Sequence, residues 1–272
     1  MKIIMSLAQM KDLFNIKGKV AVVVGAGSGI GQGIAFAFAA HGGKVVAADI
    51  NKETLDKTVN QIKSEGGECI GVVADSTKVE DVRKLAEEAI KTYGKIDALY
   101  AVPGINVRKT IASYTYDEFD RVVNVNLKGT FILLKEIGKE IAKNPDGGSI
   151  VVISSIRHLV VEPGQSVYAA TKAGIVQLAR TLAAELGKYN VRVNAIAPGV
   201  VDTPLTQQIK NDPSWYEAYK NKSVFKRWAD VKEIAGPAIF LATPAASYIT
   251  ASVIYVDGGW TGVDGRYEPK VV

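Results

Sequence analysis

One short stretch of the chain, "SSIRHLVVEPGQSVYAATK", carries a hydroxyl, a phenol and an amine at spacings that could support chemistry. Tyr168 and Lys172 are four residues apart, so on a helix both side chains lie on one face. We expect the lysine ammonium to lower the pKa of Tyr168 toward the range where proton transfer is efficient. Ser155, after the preceding strand candidate, can hydrogen-bond the same substrate oxygen. These groups predict a centre that takes the hydroxyl proton of an alcohol while a hydride leaves the carbinol carbon.

A second stretch, "VAVVVGAGSGIG", has the composition of a phosphate-binding turn between a strand and a helix. Its glycines permit a tight turn and let backbone N–H groups approach a pyrophosphate at the helix N-terminus. Asp49 ends the next strand candidate, 18 residues after Gly31. A carboxylate there can accept hydrogen bonds from an adenosine ribose and would repel a 2′-phosphate. The pattern predicts a dinucleotide site that takes NAD in preference to NADP.

Two acidic residues in this region have alternative interpretations. Asp49 could cap the helix that follows it, although Asn51 directly precedes the helical pattern and is the better N-cap. Asp75 ends the third strand candidate. It either hydrogen-bonds the adenine amino group or belongs to the turn before Thr77, and the sequence leaves both readings open.

Strands that alternate with helices predict an α/β, Rossmann-type doubly wound parallel sheet with helices on both faces. Several strand candidates are continuous apolar runs, as strands buried on both faces are. The segments between them have helical spacing, as at Leu55, Val59 and Ile62. The strand candidates are residues 20–24, 45–48, 69–74, 96–102, 150–154, 191–196 and 253–256.

Capping boxes, in which a glutamate follows a capping residue by three positions, predict helix starts at Thr77, Thr115 and Asp230. No linker or repeat divides the chain, so residues 1–272 form one predicted domain. Only residues 202–229 interrupt the alternation, because they are polar, rich in aromatic rings and lack a clear strand. We expect this segment to be a substrate lid at the carboxyl edge of the sheet.

The composition excludes several classes of protein. Hydrophobic residues make up 47% of the chain and charged residues 22%, which is typical of a globular protein. The net charge is +5, but no run of lysine and arginine is interleaved with aromatic residues, so no nucleic-acid partner is expected. With one cysteine and two histidines, no disulfide or metal site is predicted. The absence of a signal-peptide core or long apolar run predicts a cytoplasmic protein that does not enter a membrane.

The order of the motifs resembles the short-chain dehydrogenase/reductase family. "GAGSGIG", "NLKG", "SS", "YAATK" and "APGVVDT" follow one another as in that family, and the similarity covers residues 13–262. The resemblance implies one Rossmann-type domain, usually in a tetramer, that oxidises alcohols or reduces ketones. Ser155 rather than Ser154 matches the family serine, and Asn126 matches the asparagine that holds a water in the lysine's proton relay. The catalytic set implied is Asn126, Ser155, Tyr168 and Lys172.

The same resemblance extends the predicted cofactor site. "IAPGVVDTPLT" matches the family segment that flanks the nicotinamide, where Pro198 and Gly199 shape the turn and Val201 and Thr203 meet the carboxamide. Together with the glycine turn and the strand ends, the predicted cofactor residues are Gly25, Gly27, Ser28, Gly29, Ile30, Gly31, Asp49, Ile50, Asp75, Ser76, Gly104, Tyr168, Lys172, Pro198, Gly199, Val201 and Thr203.

The chain departs from the family pattern at two places. Val24 stands where the family has a threonine before the first glycine. In "YAVPG", Ala101, Val102 and Pro103 replace the usual Asn-Asn-Ala before Gly104. The missing asparagines normally tie neighbouring strands together, and proline has no N–H to donate. We therefore expect the contacts beneath the adenosine ribose to differ from those of the family.

The sequence defines the substrate less sharply than the cofactor. A polar pocket favours a sugar, a sugar acid or a polyol, although Arg157 and His158 could instead lie in a solvated loop or an inter-subunit salt bridge. An alternative substrate is an apolar ketone or 3-oxoacyl thioester, which Asp49 disfavours because its reduction usually uses NADPH. A non-enzymatic nucleotide-binding regulator is the third hypothesis, and the intact catalytic set argues against it. The predicted substrate residues are Asn106, Arg108, Arg157, His158, Gln165 and Trp215.

The expected quaternary structure is a homotetramer. This follows from the resemblance and from the apolar surplus of the helices around residues 117–143 and 168–187, where residues 131–134 are four consecutive apolar side chains.

Overall fold

A single parallel sheet of seven strands forms the centre of the molecule, in the order β3-β2-β1-β4-β5-β6-β7. The computed structural model describes residues 7–264. All the predicted strands are present, two of them with identical bounds and the others with ends displaced by at most two residues. The strands are β1 Val20–Val24, β2 Lys44–Asp49, β3 Glu68–Val73, β4 Ala98–Ala101, β5 Gly148–Ile153, β6 Val191–Pro198 and β7 Val253–Val256.

Helices cover both faces of the sheet, which confirms the predicted Rossmann-type fold. A π-helical turn, Asn124–Lys128, joins α5 to α6. The helices are α1 Leu7–Lys11, α2 Gly29–Ala40, α3 Lys52–Ser64, α4 Val79–Tyr93, α5 Tyr116–Val123, α6 Gly129–Ile141, α7 Ser166–Leu186, α8 Gln207–Lys210, α9 Pro213–Lys220 and α10 Val231–Ala242. In the described part of the chain, no helix is long and apolar enough to cross a membrane.

The core consists of two apolar layers separated by the sheet. Val22 of β1 belongs to the layer under α4, α6 and α7, whereas Val23 belongs to the layer under α2, α3 and α10. Burial of both faces explains why β1 is apolar throughout rather than alternating. The strand order reverses direction between β1 and β4, and ligands of such sheets bind in the crevice at that point, outside the carboxyl ends of the strands.

The helix starts agree with the sequence at two of the three predicted capping boxes. Thr115 and Asp230 each form both hydrogen bonds of the box. The box predicted at Thr77 is wrong. There α4 begins at Val79, because the Thr77 hydroxyl donates to Asp75 Oδ1 at 2.7 Å and does not cap the helix.

Residues 202–229 fold into compact helical structure. They contain α8 and α9, and the chain closes on itself through a parallel bridge between Val201 and Ala229. Tyr219 and Trp228 are buried with Ile209 in a small apolar cluster of their own. Because the segment is polar overall, its sequence did not predict the local core that its aromatic rings form.

Candidate active site

A groove of about 730 Å³ follows the carboxyl ends of the strands at the reversal point. Every predicted cofactor residue lines this groove except Gly27 and Gly31. The predicted residues that line it are Gly25, Ser28, Gly29, Ile30, Asp49, Ile50, Asp75, Ser76, Gly104, Tyr168, Lys172, Pro198, Gly199, Val201 and Thr203.

Gly27 and Gly31 shape the glycine turn from behind rather than lining the groove. A Cβ atom on Gly31 would lie 2.0 Å from the Gly25 carbonyl oxygen, so only glycine lets α2 approach the turn this closely. The Gly27 N–H donates to Asp49 Oδ2 at 2.9 Å. Gly25 has φ +86°, a left-handed conformation that favours glycine. Gly27 and Gly31 thus stay predicted cofactor residues that would act by shaping the turn, since neither lines the groove.

Asp49 is held at the end of β2 by two backbone groups. Besides the bond from Gly27, its Oδ1 accepts the Asn51 N–H at 2.9 Å. Asn51 is the N-cap of α3, since its side chain accepts from the Thr54 N–H at 3.1 Å. The cap interpretation of Asp49 is thus wrong, and the carboxylate is fixed on the wall of the groove.

Asp75 both lines the groove and organises the turn before α4. Its Oδ1 accepts the backbone N–H and the hydroxyl of Thr77, at 2.9 and 2.7 Å. Both roles considered for Asp75 are compatible with this position.

The phenol and the amine of the opening motif lie together on α7, and both are buried. The Lys172 Nζ lies 5.6 Å from the centre of the Tyr168 ring and donates to the Ile153 carbonyl at 2.8 Å. Ser155 follows β5, and its Oγ accepts the Arg157 N–H at 3.1 Å. The Ser154 hydroxyl is engaged elsewhere, because it donates to the Lys172 carbonyl at 2.9 Å.

Asn126 is fully buried in the π-helical turn and does not line the groove. Its Oδ1 accepts the Ile105 N–H at 2.8 Å, and its Nδ2 donates to the Ile105 carbonyl and to Thr171 Oγ1 at 3.0 and 3.1 Å. Its own carbonyl accepts the Thr130 hydroxyl at 2.6 Å. The side chain therefore clamps the loop after β4 onto α7, directly behind the Tyr168–Lys172 pair.

Burial controls the protonation of this pair. It raises the pKa of Tyr168, and the Ser155 hydrogen bond and the charges of Arg108 and Arg157 oppose the rise only in part. It also lowers the pKa of Lys172 to about 8. The net shift of the Tyr168 pKa is therefore opposite to the expected lowering, because desolvation of the phenolate outweighs the charges and the hydrogen bond that favour it.

A smaller cavity of about 70 Å³ opens beside Ser155 and Tyr168, and we call it the substrate cavity. Four of the predicted substrate residues line it: Asn106, Arg108, Arg157 and Gln165. Further lining residues are Ile156, Gly199, Val200, Leu205, Thr206, Ile209, Tyr219 and Trp260. Of these, Tyr219 belongs to the aromatic-rich segment 202–229 noted in the sequence, yet neither Tyr219 nor Trp260 was selected as a substrate residue.

Two predicted substrate residues lie outside the substrate cavity. Trp215 stacks on Tyr219 with ring centres 6.0 Å apart, and the Arg108 guanidinium lies 5.5 Å from its ring. His158 packs against Tyr255 at 5.5 Å instead. Both side chains pack in aromatic contacts outside the cavity. Their closeness in sequence to residues that line the cavity therefore did not place them in its wall.

Arg157 is buried, so the solvated-loop alternative is wrong for this residue. Its Nη2 forms an ion pair with Glu162 at 2.6 Å. Its guanidinium lies 5.2 Å from the ring centre of Trp260 and 5.9 Å from that of Tyr219. Ion pair and rings together hold the guanidinium at the wall of the substrate cavity.

The departures in "YAVPG" leave the sheet intact. Ala101 pairs with Val24 of β1 and Val152 of β5, and the Val102 N–H donates to the Val24 carbonyl at 3.2 Å. Pro103 falls just beyond the last ladder bond, where a missing N–H has no cost to the sheet.

Several groove residues were not predicted, and Arg121 is the one among them that carries a charge. Arg121 of α5 reaches the groove, as does Val125 four residues later. This helical spacing was the available signal. Within the described ranges, no group of three or more histidine, cysteine or acidic side chains could hold a metal ion.

Comparisons with known proteins agree with this geometry. A family model described as enoyl-(acyl carrier protein) reductase matches residues 25–261. The 3-oxoacyl-(acyl-carrier-protein) reductase of Thermotoga maritima is 36% identical over 245 residues, 90% of this chain and 98% of that protein. The 2-dehydro-3-deoxy-D-gluconate 5-dehydrogenase of Pseudoalteromonas atlantica is 37% identical over 257 residues, 93% of this chain and 100% of that protein.

A solved structure gives the same result. The gluconate 5-dehydrogenase of Burkholderia cenocepacia, in complex with NADP and tartrate, superposes with a TM-score of 0.89 at 28% identity, over 93% of this chain and 98% of that one. Because the family model covers most of the chain and the relatives match it nearly end to end, the protein belongs to the short-chain dehydrogenase/reductase family of oxidoreductases.

Proposed function

We propose that the protein is an NAD(H)-dependent dehydrogenase that interconverts a secondary alcohol and a ketone or lactone, acting on a sugar, a sugar acid or a polyol. The observation that carries this proposal is the position of Ser155 and Tyr168, which line both the long groove and the substrate cavity. A reacting carbon held beside Ser155 and Tyr168 would lie next to the acid–base group and also next to the end of the cofactor groove.

The groove fits a dinucleotide by its chemistry. The N-cap residue of α2, Ser28, makes no side-chain cap hydrogen bond, so the first N–H groups of this helix can receive a pyrophosphate. Asp49 presents a carboxylate at the position suited to ribose hydroxyls, and its negative charge favours NAD over NADP. Pro198, Gly199 and Thr203 would hold the nicotinamide end beside Tyr168.

The chain's own residues then account for the proton. Ionised Tyr168 accepts the hydroxyl proton of the alcohol, and the Ser155 hydroxyl hydrogen-bonds the same oxygen, its orientation fixed by the Arg157 N–H. Lys172, anchored on the Ile153 carbonyl, stabilises the phenolate by its charge. When bound, the nicotinamide supplies the acceptor for the hydride that leaves the carbinol carbon. The substrate thus loses one hydride and one proton and becomes a ketone or lactone.

The lining of the substrate cavity supports a polar and acidic substrate. Asn106, Gln165 and Arg157 offer hydrogen-bonding groups on one wall. Arg108 stacks on Trp215 and forms no salt bridge within residues 7–264, so its charge is available to a substrate carboxylate. The relatives named as gluconate and deoxygluconate dehydrogenases act on such sugar acids. Residues 202–229, which supply one wall, would act as the lid.

A 3-oxoacyl thioester reductase is the second candidate, favoured by the Thermotoga maritima relative at 36% identity. Asp49 argues against it, since the reduction usually uses NADPH. A non-enzymatic regulator is the least supported, because Ser155, Tyr168 and Lys172 are all retained and line the same groove.

We also propose a cytoplasmic homotetramer. Tyr116 and Phe119 of α5 and Phe131 of α6 are aromatic and exposed, by 91%, 47% and 48%. The next three residues of the apolar run, 132–134, are buried within the subunit, so the surplus is smaller than the sequence indicated. A monomer mass by light scattering at micromolar concentration would contradict the tetramer.

The proposed function is tested by a paired assay. NADH or NADPH formation at 340 nm is followed with D-gluconate, D-glucose, L-rhamnose, sorbitol and simple secondary alcohols, and acetoacetyl thioester is offered in the reductive direction. Oxidation of a sugar-type substrate with NAD is the expected result. Activity confined to the thioester with NADPH would support the second candidate, and inactivity throughout with tight NADH binding would support the regulator.

A further inference from the structure

Three buried polar atoms have no hydrogen-bond partner among the described residues, and all lie in segments near the active site. They are Asn106 Oδ1, His158 Nε2 and Ser166 Oγ. Asn106 is the only one of the three whose residue lines both the groove and the substrate cavity. A buried acceptor without a partner is costly, so a native protein that keeps one at a binding cavity is prepared for a donor from the ligand.

A chain of hydrogen bonds determines which atom Asn106 presents. The Glu162 carboxylate can only accept, and it accepts from Gln165 Nε2. This leaves Gln165 Oε1 as the atom that faces Asn106, and Asn106 Nδ2 donates to it at 3.0 Å. The Asn106 amide is therefore oriented with its oxygen free. The oxygen and nitrogen ends of an amide have nearly the same shape, so shape does not determine the orientation of Asn106 or Gln165. The orientation follows instead from Glu162, which can only accept hydrogen bonds.

Besides Gln165, two further donors hold Glu162. Arg157 Nη2 lies 2.6 Å from Oε2, and the Tyr219 hydroxyl donates to Oε1. Burial and the neighbouring Glu162 carboxylate raise the pKa of Tyr219, which keeps its phenol protonated as a donor. Since Tyr219 belongs to α9, the chain of bonds also fixes residues 202–229 against the substrate cavity.

We propose that Glu162 and Gln165 orient Asn106 so that its Oδ1 accepts a hydrogen bond from a hydroxyl next to the reacting carbinol, which makes the enzyme selective for vicinal diols. This inference rests on the proposed function and narrows its substrate class. A cavity of about 70 Å³ holds only a few non-hydrogen atoms beside Ser155 and Tyr168. Because Asn106 shares this small cavity with Ser155 and Tyr168, the proposal assigns to it the substituent on the adjacent carbon.

The test compares two neutral probes that differ only in that hydroxyl, cis-1,2-cyclohexanediol and cyclohexanol. We measure kcat/KM for each and take the ratio, in which general losses of activity cancel. The wild-type ratio should be roughly 10–100, the range set by a buried acceptor that finds or loses its donor. Asn106→Leu should reduce the ratio to about 1. Asn60→Leu removes the same groups from an exposed position on α3 that lines neither the groove nor the substrate cavity, and it should leave the ratio unchanged.

Glu162→Gln is the second variant, in case Asn106→Leu does not fold. A glutamine there can donate to Gln165, which removes the constraint on both amides without changing the size of the side chain. The ratio should fall by roughly tenfold, with the loss mainly in the KM of the diol. Circular dichroism establishes that each variant is folded.

The outcomes separate this inference from the proposed function. Oxidation of sugars or sugar acids by a wild-type enzyme that turns over the diol no faster than cyclohexanol would overturn the role of Asn106 and leave the proposed function standing. A diol preference that survives in both variants would do the same. Failure to oxidise any alcohol of either panel would overturn the proposed function itself.

Discussion

Replacing Lys172 with methionine should change how stability depends on pH. Lys172 is 3% exposed, and its ammonium has one hydrogen bond, to the Ile153 carbonyl at 2.8 Å. Methionine fills a similar volume and carries no charge. The variant therefore removes the energetic cost of a buried charge together with one hydrogen bond, and these two effects respond differently to pH.

The magnitude follows from the shift in the pKa of Lys172, from 10.5 to about 8 on folding. Between these values the unfolded chain binds more protons than the folded one, so the free energy of unfolding rises with pH. At pH 7 the shift destabilises the wild type by about 3 kcal/mol, and by pH 9.5 about 2 kcal/mol of this is recovered. The lost hydrogen bond costs the variant roughly 1–3 kcal/mol at pH 7. The net difference at neutral pH is therefore small, and the change with pH is the diagnostic quantity.

Urea unfolding followed by tryptophan fluorescence measures this difference, without added cofactor and at one protein concentration, because association would shift the apparent stability. From pH 7 to pH 9.5 the wild type should gain about 2 kcal/mol relative to Lys172→Met. Lys84→Met, at an exposed position on α4, is the control and should follow the wild type. If the curves of wild type and Lys172→Met stay parallel within about 0.5 kcal/mol, burial does not shift Lys172 as argued.

Three further predictions concern the active site and the glycine turn. Tyr168→Phe should lower kcat at least about 100-fold while NADH still binds, by fluorescence titration, within about threefold of the wild type; near-normal turnover would reject Tyr168 as the proton acceptor. Because burial raises the Tyr168 pKa and only the phenolate accepts a proton, kcat/KM for oxidation should rise from pH 7 to pH 10, and a flat profile would contradict this. Gly31→Ala should abolish NADH binding or destabilise the fold by more than about 3 kcal/mol, since its Cβ would meet the Gly25 carbonyl at 2.0 Å. Gly236→Ala, with open space around its Cβ on α10, should be neutral or stabilising by up to about 1 kcal/mol, and equal effects of the two changes would refute the steric argument.

The fold could be predicted from the sequence because the strands are buried on both faces. A run such as 20–24 has no polar position at all, which marks it as central and parallel before any pairing is known. Because such strands alternate with segments of helical spacing, only a few topologies of the sheet are possible. What could not be predicted was the structure of residues 202–229, whose stability comes from contacts among Ile209, Tyr219 and Trp228 that are dispersed along a polar segment.

Local competition between hydrogen bonds limited the prediction of helix starts. Thr77 and Glu80 have the spacing of a capping box, as Thr115 and Glu118 do. The difference is Asp75, two residues before Thr77, whose carboxylate accepts both the N–H and the hydroxyl of Thr77. The capping-box motif considers only two positions, so it does not detect that a third residue, here Asp75, competes for the hydroxyl of the first. The same pattern therefore predicted the helix start correctly at Thr115 and wrongly at Thr77.

The proposed catalytic pair, Tyr168 and Lys172, illustrates a second kind of limit. Spacing along α7 places Tyr168 and Lys172 on one face, and this was predictable. Their protonation was not, because it depends on how completely β5, the loop after β4 and residues 202–229 enclose them. Charge pairing alone favours a lowered Tyr168 pKa, whereas the enclosed site raises it. The sign of the shift is decided by desolvation, which is a property of the assembled layers.

The orientation of Asn106 lies furthest from what a sequence can reveal. Asn106 and Gln165 have two-fold amide ends that fit equally well either way round, so neither residue specifies whether the substrate meets a donor or an acceptor. That choice is made by Glu162, which is 56 positions from Asn106 in the chain and touches it only through Gln165. The Glu162 carboxylate, held by Arg157 and Tyr219, can only accept hydrogen bonds. It therefore fixes the orientation of the Gln165 amide, which in turn fixes that of the Asn106 amide at the substrate cavity. Selectivity at the reacting carbon would then depend on a residue that need not contact the substrate.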